Sequence, residues 1–395
     1  MNTELDTSIE GSRMYQLSRN CIYGTDANPR MARTSKMNMI MHGDGHGGVH
    51  HHDGLLNVNG IFEERFDVIL TNPPFGQNVD RNQLITEADR FTDETMKRKY
   101  KEKYGTAYDV ALKQVDDHIG ESLLSLYDLG SSSTLTEVLF MERCLRLLKK
   151  GGRMGMVLPE GVLNNKNLQA VREYFEGRAK IILICSIPQD VFIAAGATVK
   201  PSLVFLKRFT EDEENEYKKC VEEAKKEVTA IHQSEIDKLE TTIKYCENLV
   251  DSLKDDLKDA RERLKKAKKA KSSLTSIESE ILAIQQEQKN NKENLKVAKT
   301  ELDVLNKLIA EEVKPVTKKK FDYDIPIAKV DDAGITTTGA ASEGNQLPIL
   351  VTEYRKYQQD HTLWNVLIPK YLYVLKEDKK YYRKTSEKEV VLNGQ

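Results

Sequence analysis

Apolar and polar positions alternate along this chain in three textures. From residue 1 to about 208, short apolar runs are punctuated by Gly- and Pro-bearing turns, the rhythm of an α/β domain. Cys21-Ile22-Tyr23-Gly24 reads as a short strand that ends in a turn. Residues 29–42 open with proline and continue in helix formers, so a helix is expected there. Phe66-Asp67-Val68-Ile69-Leu70-Thr71 reads as a buried strand. Val138, Met141, Leu145 and Leu148 share one face of a helix expected over 137–150, closed by Gly151-Gly152. Strands are expected at 153–158 and 180–186, with a late antiparallel strand at 202–207. This alternation implies a mostly parallel sheet with helices on both faces.

The second texture, 211–312, is nearly devoid of Gly, Pro and aromatic residues and dense in Glu, Lys and Leu. Steps of seven from Leu239 reach Cys246, Leu253, Ala260, Ala267, Leu274, Ile281, Gln288, Leu295, Leu302 and Ile309. Ile243, Val250, Leu257 and Leu264 form a second seam in the first half, and Ile277, Ile284, Ala298 and Leu305 one of different phase in the second. A phase change in mid-run marks a stutter or a reversal of direction. It falls at 271–276, where serines and a threonine supply helix caps. The expectation is an antiparallel coiled-coil hairpin over 209–314 with arms of roughly 60 Å at ~1.5 Å per residue. A single long helix paired with another chain is the alternative. Residues 315–395 return to a mixed texture rich in Tyr and Lys, a small C-terminal segment.

Composition sharpens this picture. The charged share of 31% exceeds the usual quarter, as a long solvated helical element requires. With 60 basic and 62 acidic residues the formal net charge is −2, which excludes a uniformly basic nucleic-acid coat but not local basic patches. No apolar run reaches the ~18 residues of a membrane-spanning helix, so no membrane partner is expected. The start, MNTELDTSIEG, is too polar for a secretory signal. Five scattered cysteines without a CxxC spacing indicate neither a disulfide framework nor structural zinc, and point to a reducing, cytoplasmic setting.

The sharpest chemical signal is Asn72-Pro73-Pro74-Phe75, directly after FDVILT. Two consecutive prolines can neither continue a sheet nor enter a helix interior, so the chain must turn rigidly. The turn presents Asn72 at the carboxyl edge of the sheet, where α/β folds place ligands. The Asn72 side-chain oxygen and the Pro73 carbonyl can both accept hydrogen bonds from one exocyclic amino group and leave its nitrogen lone pair nucleophilic. Phe75 can stack on the ring that bears the amine. A nucleobase reaches such a pocket only by leaving its helical stack.

Other features carry less. His42, His46, His50, His51 and His52 lie among glycines at a density that suits zinc or nickel, but the chemistry above needs no metal, and no metal site is expected. Arg81, Arg90, Lys97, Arg98, Lys99, Lys101 and Lys103 in the connection 77–134 suit either a cover over extruded DNA or a solvated helix face. Gly130-Ser131-Ser132-Ser133 reads as its flexible end. Cys144 and Cys185, in apolar surroundings, read as buried, inert thiols.

Long segments carry a resemblance. IYGTDANPRMARTSKMNMIMHGDGHGGVHHHDGLLN, FDVILTNPPFGQNVD, TEVLFMERCLRLLKKGGRMGMVLPEGVL and IPQDVFIAAGATVKPSLVFLKR cover most of 21–208. In that order, and with YDIPIAKVDDAGITTTG after them, they resemble the methylation (modification) subunit of type I restriction–modification systems, of the N-6 adenine DNA methyltransferase family. The resemblance implies a Rossmann-like methyltransferase domain over 1–208 that takes S-adenosylmethionine and methylates adenine in double-stranded DNA. It also implies a DNA-recognition (specificity) subunit, a restriction subunit and a second methylation subunit as partners, with the hairpin as a contact arm. By matching position, Asn72, Pro73, Pro74 and Phe75 carry the catalytic motif, Asp26 receives the cofactor's ribose hydroxyls, and Asp53 lies near its adenine. The family's Gly-rich cofactor loop has no counterpart in the 20 residues before Cys21, which contain one glycine, Gly11. The sheet is therefore expected to be incomplete at its first strand and the chain N-terminally truncated. Methylation of another planar amine, an RNA base or a protein glutamine, is one alternative. A non-catalytic remnant that keeps subunit contacts is the other.

Overall fold

The computed structural model describes residues 9, 11–43, 48–196, 198–269, 274–361, 373–375, 381–384 and 389–391. The chain divides into two compact units, Met1–Glu214 with Tyr323–Gln395, and Asn215–Asp322.

The first unit begins with α1 (Arg13–Gln16), whose cap residue Ser12 accepts a hydrogen bond from the Tyr15 amide. The helix continues as a π-type turn through Cys21, so β1 spans Tyr23–Asp26 and not 21–24. α2 (Pro29–Met41) starts where Asn28 accepts the Arg30 and Met31 amides. β2 (Gly48–His51) then pairs in parallel with β1, and the two form a sheet of their own.

β3 (Phe66–Thr71) opens the larger sheet. α3 (Glu94–Tyr104), α4 (Thr106–Asp116) and two 3₁₀ turns come next, then α5 (Thr136–Leu147). β4 (Leu148–Pro159), α6 (Glu160–Asn164), α7 (Gln169–Glu176), β5 (Ala179–Ser186) and β6 (Pro201–Arg208) complete the portion before the hairpin. The helices of the second unit are α8 (Glu211–Lys269) and α9 (Thr275–Lys320). After them the first unit resumes with β7 (Ile325–Lys329), α10 (Leu347–Gln359), β8 (Tyr373–Leu375), β9 (Tyr381–Lys384) and β10 (Glu389–Val391). The strand order is β10-β9-β8-β7-β5-β6-β4-β3.

This α/β sheet is mixed, not mostly parallel. Only β3–β4 and β5–β7 run parallel. β6 returns between β4 and β5 antiparallel to both. Val138, Met141 and Leu145 of α5 pack with Val162, Val171 and Phe175 of α6 and α7 on Met154, Met156, Leu158, Val204 and Leu206 of the sheet. Leu350 and Tyr357 of α10 join Leu183, Cys185 and Ala328 in a second cluster.

Three local expectations are corrected. FDVILT is not a buried strand: β3 is the edge of the sheet, with Val68 61% and Leu70 77% exposed. β1 does not hydrogen-bond to it, and among the described residues no strand lies between them. Side chains alone cross, Tyr23 meeting Phe66 edge-to-face at 5.9 Å. Among the described residues the two sheets therefore share no strand pair. Secondly, α5 stops at Leu147, before Gly151-Gly152, because Leu148 is already extended. Gly151, at φ +76°, instead forms the irregularity between the Phe66–Leu148 and Val68–Arg153 pairs. Thirdly, Gly130-Ser131-Ser132-Ser133 is packed at its two ends: Gly130 leaves no room for a side chain against the Leu124 carbonyl, and Ser133 is buried, while Ser131 and Ser132 are exposed.

In the second unit α8 and α9 lie antiparallel. His232 meets Glu312 at 2.8 Å, Glu247 meets Lys299 at 2.7 Å and Arg263 meets Glu280 at 2.5 Å. Val228, Leu305 and Ile309 form a buried seam flanked by Ile236, Leu239 and Val313. With 59 and 46 residues, the arms extend ~88 and ~69 Å, beyond the 60 Å expected. α9 carries Pro315 inside it, so the boundary expected at 314 falls within a helix. Of the expected break, 271–273 lie outside the described residues.

Candidate functional site

Thr71 ends β3 opposite Met156 of β4, so the double-proline corner stands at the carboxyl edge of the larger sheet. There Asn72 and Pro74 are exposed, Pro73 is buried and Phe75 is half-buried. The Phe75 ring meets Phe192 edge-to-face, 5.8 Å between centroids and 87° between planes. The chain leaves the corner through Gly76, whose φ of +66° suits glycine.

The N-terminal end of α5 grips the residues just past the corner. The Gly76 amide donates to Glu137 Oε1 at 3.3 Å. The Thr136 amide and hydroxyl both donate to the Gln77 carbonyl, at 2.9 and 3.0 Å. The Thr134 hydroxyl donates to Asn78 Oδ1 at 2.8 Å. Glu137 is 4% exposed, and its Oε2 has no hydrogen-bond partner among the described residues. Leaving such an oxygen buried and unpaired costs about 1–3 kcal/mol.

Asp26 and Asp53 come together at the carboxyl end of the smaller sheet. Asp26 ends β1 opposite His51, and its carbonyl accepts the His52 amide at 3.2 Å. Its Oδ1 accepts the Asn28 amide at 2.8 Å, while Oδ2 makes no hydrogen bond among the described residues. Asp53 accepts the Leu55 amide at 2.9 Å and the Gln83 amide side chain at 3.4 Å.

α5 also holds this second loop. Phe140 packs against Gly54 so closely that a Cβ there would meet its ring at 2.9 Å. Arg143, 1% exposed, donates to the carbonyls of Gly54 at 3.2 Å and Leu56 at 2.9 Å. It donates also to Asn57 Oδ1 at 2.7 Å and Glu63 Oε1 at 3.0 Å. The Tyr127 hydroxyl closes the loop on the Leu55 carbonyl.

The histidines serve separate ends. His42 Nδ1 lies 2.8 Å from the Asn38 carbonyl, His51 Nε2 3.1 Å from that of Ala27, and His52 Nε2 3.1 Å from that of Asp89. His46 lies outside the described residues. His50 is buried beside Tyr100 and pairs with the Asn59 amide at 3.1 Å. Burial, then the charges of Lys36 and His52, pushes its pKa down to about 4. Among the described residues no three His, Cys, Asp or Glu side chains gather as a metal site. Several cations of 77–134 are tied to acids: Arg90 to Glu87 and Asp116, Lys97 to Glu94, Lys101 to Asp109. Burial pushes the Cys144 and Cys185 thiols up to about 12.

Phe192, Glu137 and Arg143 were not singled out in the sequence. Phe192 lies more than a hundred residues from the corner it touches. Glu137 and Arg143 look like ordinary polar members of an amphipathic helix. Their one signal is position, since both border the apolar stripe of Val138, Met141 and Leu145.

The N-6 DNA Methylase family profile matches residues 8–111 and 130–301. Among solved structures, the chain is similar to a protein described as a modification subunit of a type I restriction enzyme from Vibrio vulnificus. Identity is 20% over 51% of this chain and 35% of that one, with a TM-score of 0.36. It is also similar to the M protein of the type I restriction enzyme EcoKI, at 17% identity over 52% of this chain and 34% of that one, TM-score 0.34. A class I S-adenosylmethionine-dependent methyltransferase from Listeria monocytogenes is a third, at 16% identity over 49% and 46%, TM-score 0.31. The chain spans about a third of the length of the first two and under half of the third. No curated protein matches it.

Proposed function

The chain belongs to the N-6 DNA methylase family, and on that premise we propose that it is the methylation subunit of a type I restriction–modification complex, methylating the N6 amine of an adenine extruded from duplex DNA. The observation that carries this reading is the double-proline corner: an exposed Asn72 at the sheet's carboxyl edge, anchored by a buried Pro73 and flanked by Phe75. Asn72 Oδ1 and the Pro73 carbonyl accept hydrogen bonds from the two amine N–H groups, which frees the nitrogen lone pair for attack on the methyl group; the N-methylated amine then releases one proton to solvent. Phe75, braced by Phe192, stacks on the purine. Positioning supplies most of the acceleration, and Cys144 and Cys185, buried and with raised pKa values, are unsuited to a covalent role.

S-adenosylmethionine fits in part. The unengaged Asp26 Oδ2 and the neighbouring Asp53 suit the ribose hydroxyls and adenine of the cofactor. When bound, it supplies a methyl group activated by the sulfonium. Among the described residues no Gly-rich loop lies beside β1 to admit the methionine half.

Expected partners are duplex DNA, a specificity subunit, a restriction subunit and a second methylation subunit, in the cytoplasm. The deciding experiment incubates the full chain, with its specificity subunit, with labelled S-adenosylmethionine and duplex DNA, RNA or protein. Label in DNA adenine supports the proposal. Label in RNA or protein alone, or no measurable cofactor affinity in the assembled complex, refutes it.

A further inference from the structure

We propose that the buried face of α5 sets the spacing between the Asn72 corner and the Asp53 loop, with Glu137 and Arg143 as positioning residues. This rests on the methyltransferase reading, since it takes the corner as the acceptor side and the loop as the cofactor side.

The two sides belong to sheets that share no hydrogen-bonded strand pair. Something else must fix their separation, because transfer between two bound reactants tolerates little misplacement. Glu137, Phe140 and Arg143 stand three residues apart, successive neighbours along one helix face. The first holds the Gly76 amide, directly after the catalytic corner. The second fills the space over Gly54, and the third binds the carbonyls on either side of Leu55. One rigid helix thus touches both sides within two turns.

Glu137 keeps one buried oxygen without a partner among the described residues. Arg143 devotes its guanidinium to one five-residue loop and its neighbour Glu63, a fork that lysine cannot reproduce. A leucine in either place would leave the loop amide or carbonyls that these groups hold unpaired.

The test uses the full chain in its complex with Glu137→Leu and Glu137→Gln. Glutamine keeps an acceptor oxygen for the Gly76 amide; leucine does not. With Glu137→Leu, kcat falls at least thirtyfold, while KM for S-adenosylmethionine stays within twofold. Amide exchange of residues 76–79 rises at least tenfold, and exchange in β4 is unchanged. Glu137→Gln recovers kcat to within threefold of wild type. Arg143→Lys shows the converse split, a KM for the cofactor raised at least tenfold with exchange increased at 53–57. The proposal is overturned by wild-type kcat or wild-type exchange in Glu137→Leu, by a Glu137→Gln as impaired as leucine, or by equal losses in kcat and KM. If the wild-type complex methylates no adenine, the functional reading fails, and the exchange measurement still decides whether α5 holds both loops.

Discussion

Replacing Asn72 by alanine separates chemistry from stability more cleanly than any other substitution in this chain. Asn72 is exposed, and its side chain makes no hydrogen bond among the described residues. The folded state therefore loses nothing beyond a surface amide, and stability is expected to stay within ~0.5 kcal/mol. The corner itself persists, because the prolines, the Glu137 contact and the Gln77–Thr136 pair hold it without Asn72. On the proposed function, what disappears is one acceptor for charge that develops on the amine during transfer. Loss of one such preorganised group costs about 2.7–4 kcal/mol in the barrier, or roughly a 10²–10³-fold fall in kcat. The assay is transfer of labelled methyl groups to unmethylated duplex DNA by the full complex under single-turnover conditions, alongside thermal melting of the same preparation. A kcat within threefold of wild type refutes the role of the corner. A drop in melting temperature of several degrees refutes the claim that Asn72 carries no structural load.

Phe75→Ala leaves Phe192 without its edge-to-face partner; methylation is expected to fall at least tenfold, and fluorescence of 2-aminopurine at the target base to change, with no change accepted as refutation. Glu142→Gln tests the buried support behind α5: Glu142 is fully buried and accepts the Asp128 and Leu129 amides on separate oxygens, each at 2.9 Å, and pairs with Arg146. Turning one oxygen into a donor should cost about 3 kcal/mol, moving the urea midpoint down by roughly 1 M at constant slope, so an unmoved midpoint contradicts the account. His50 has a folded-state pKa near 4, below its unfolded value of about 6.5, so the unfolded chain binds the extra proton. Its contribution is complete above about pH 6.5 and is lost as pH falls toward 4, at about 1.4 kcal/mol per pH unit in mid-window. His50→Gln should flatten that slope in urea titrations, and an unaltered slope assigns the acid sensitivity elsewhere.

The double-proline corner was legible because its cause is local: two prolines in sequence dictate a turn whatever surrounds them. The hairpin was legible for the same reason, since a seven-residue spacing is a property of one helix at a time. Its true length was not, because Pro315 reads as a boundary, yet α9 carries it to Lys320. Burial of FDVILT was misread because apolar residues promise a neighbour without showing that one is present. Val68 and Leu70 share one face of β3, and nothing in six residues reports whether another element covers that face. The antiparallel return of β6 was legible, but its place between β4 and β5 was not, because that is a long-range choice. Buried Glu137, Glu142 and Arg143 are the hardest case. A polar residue in an amphipathic helix announces solvent, and only tertiary partners spread over nearly ninety residues of chain turn these three inward.

The uncovered rim of β3 has a practical consequence. Among the described residues no strand pairs with its outer edge, and Val68 and Leu70 stand exposed beside it, the arrangement on which foreign strands nucleate. Such a border favours sticking between molecules, rim against rim, as the protein is concentrated.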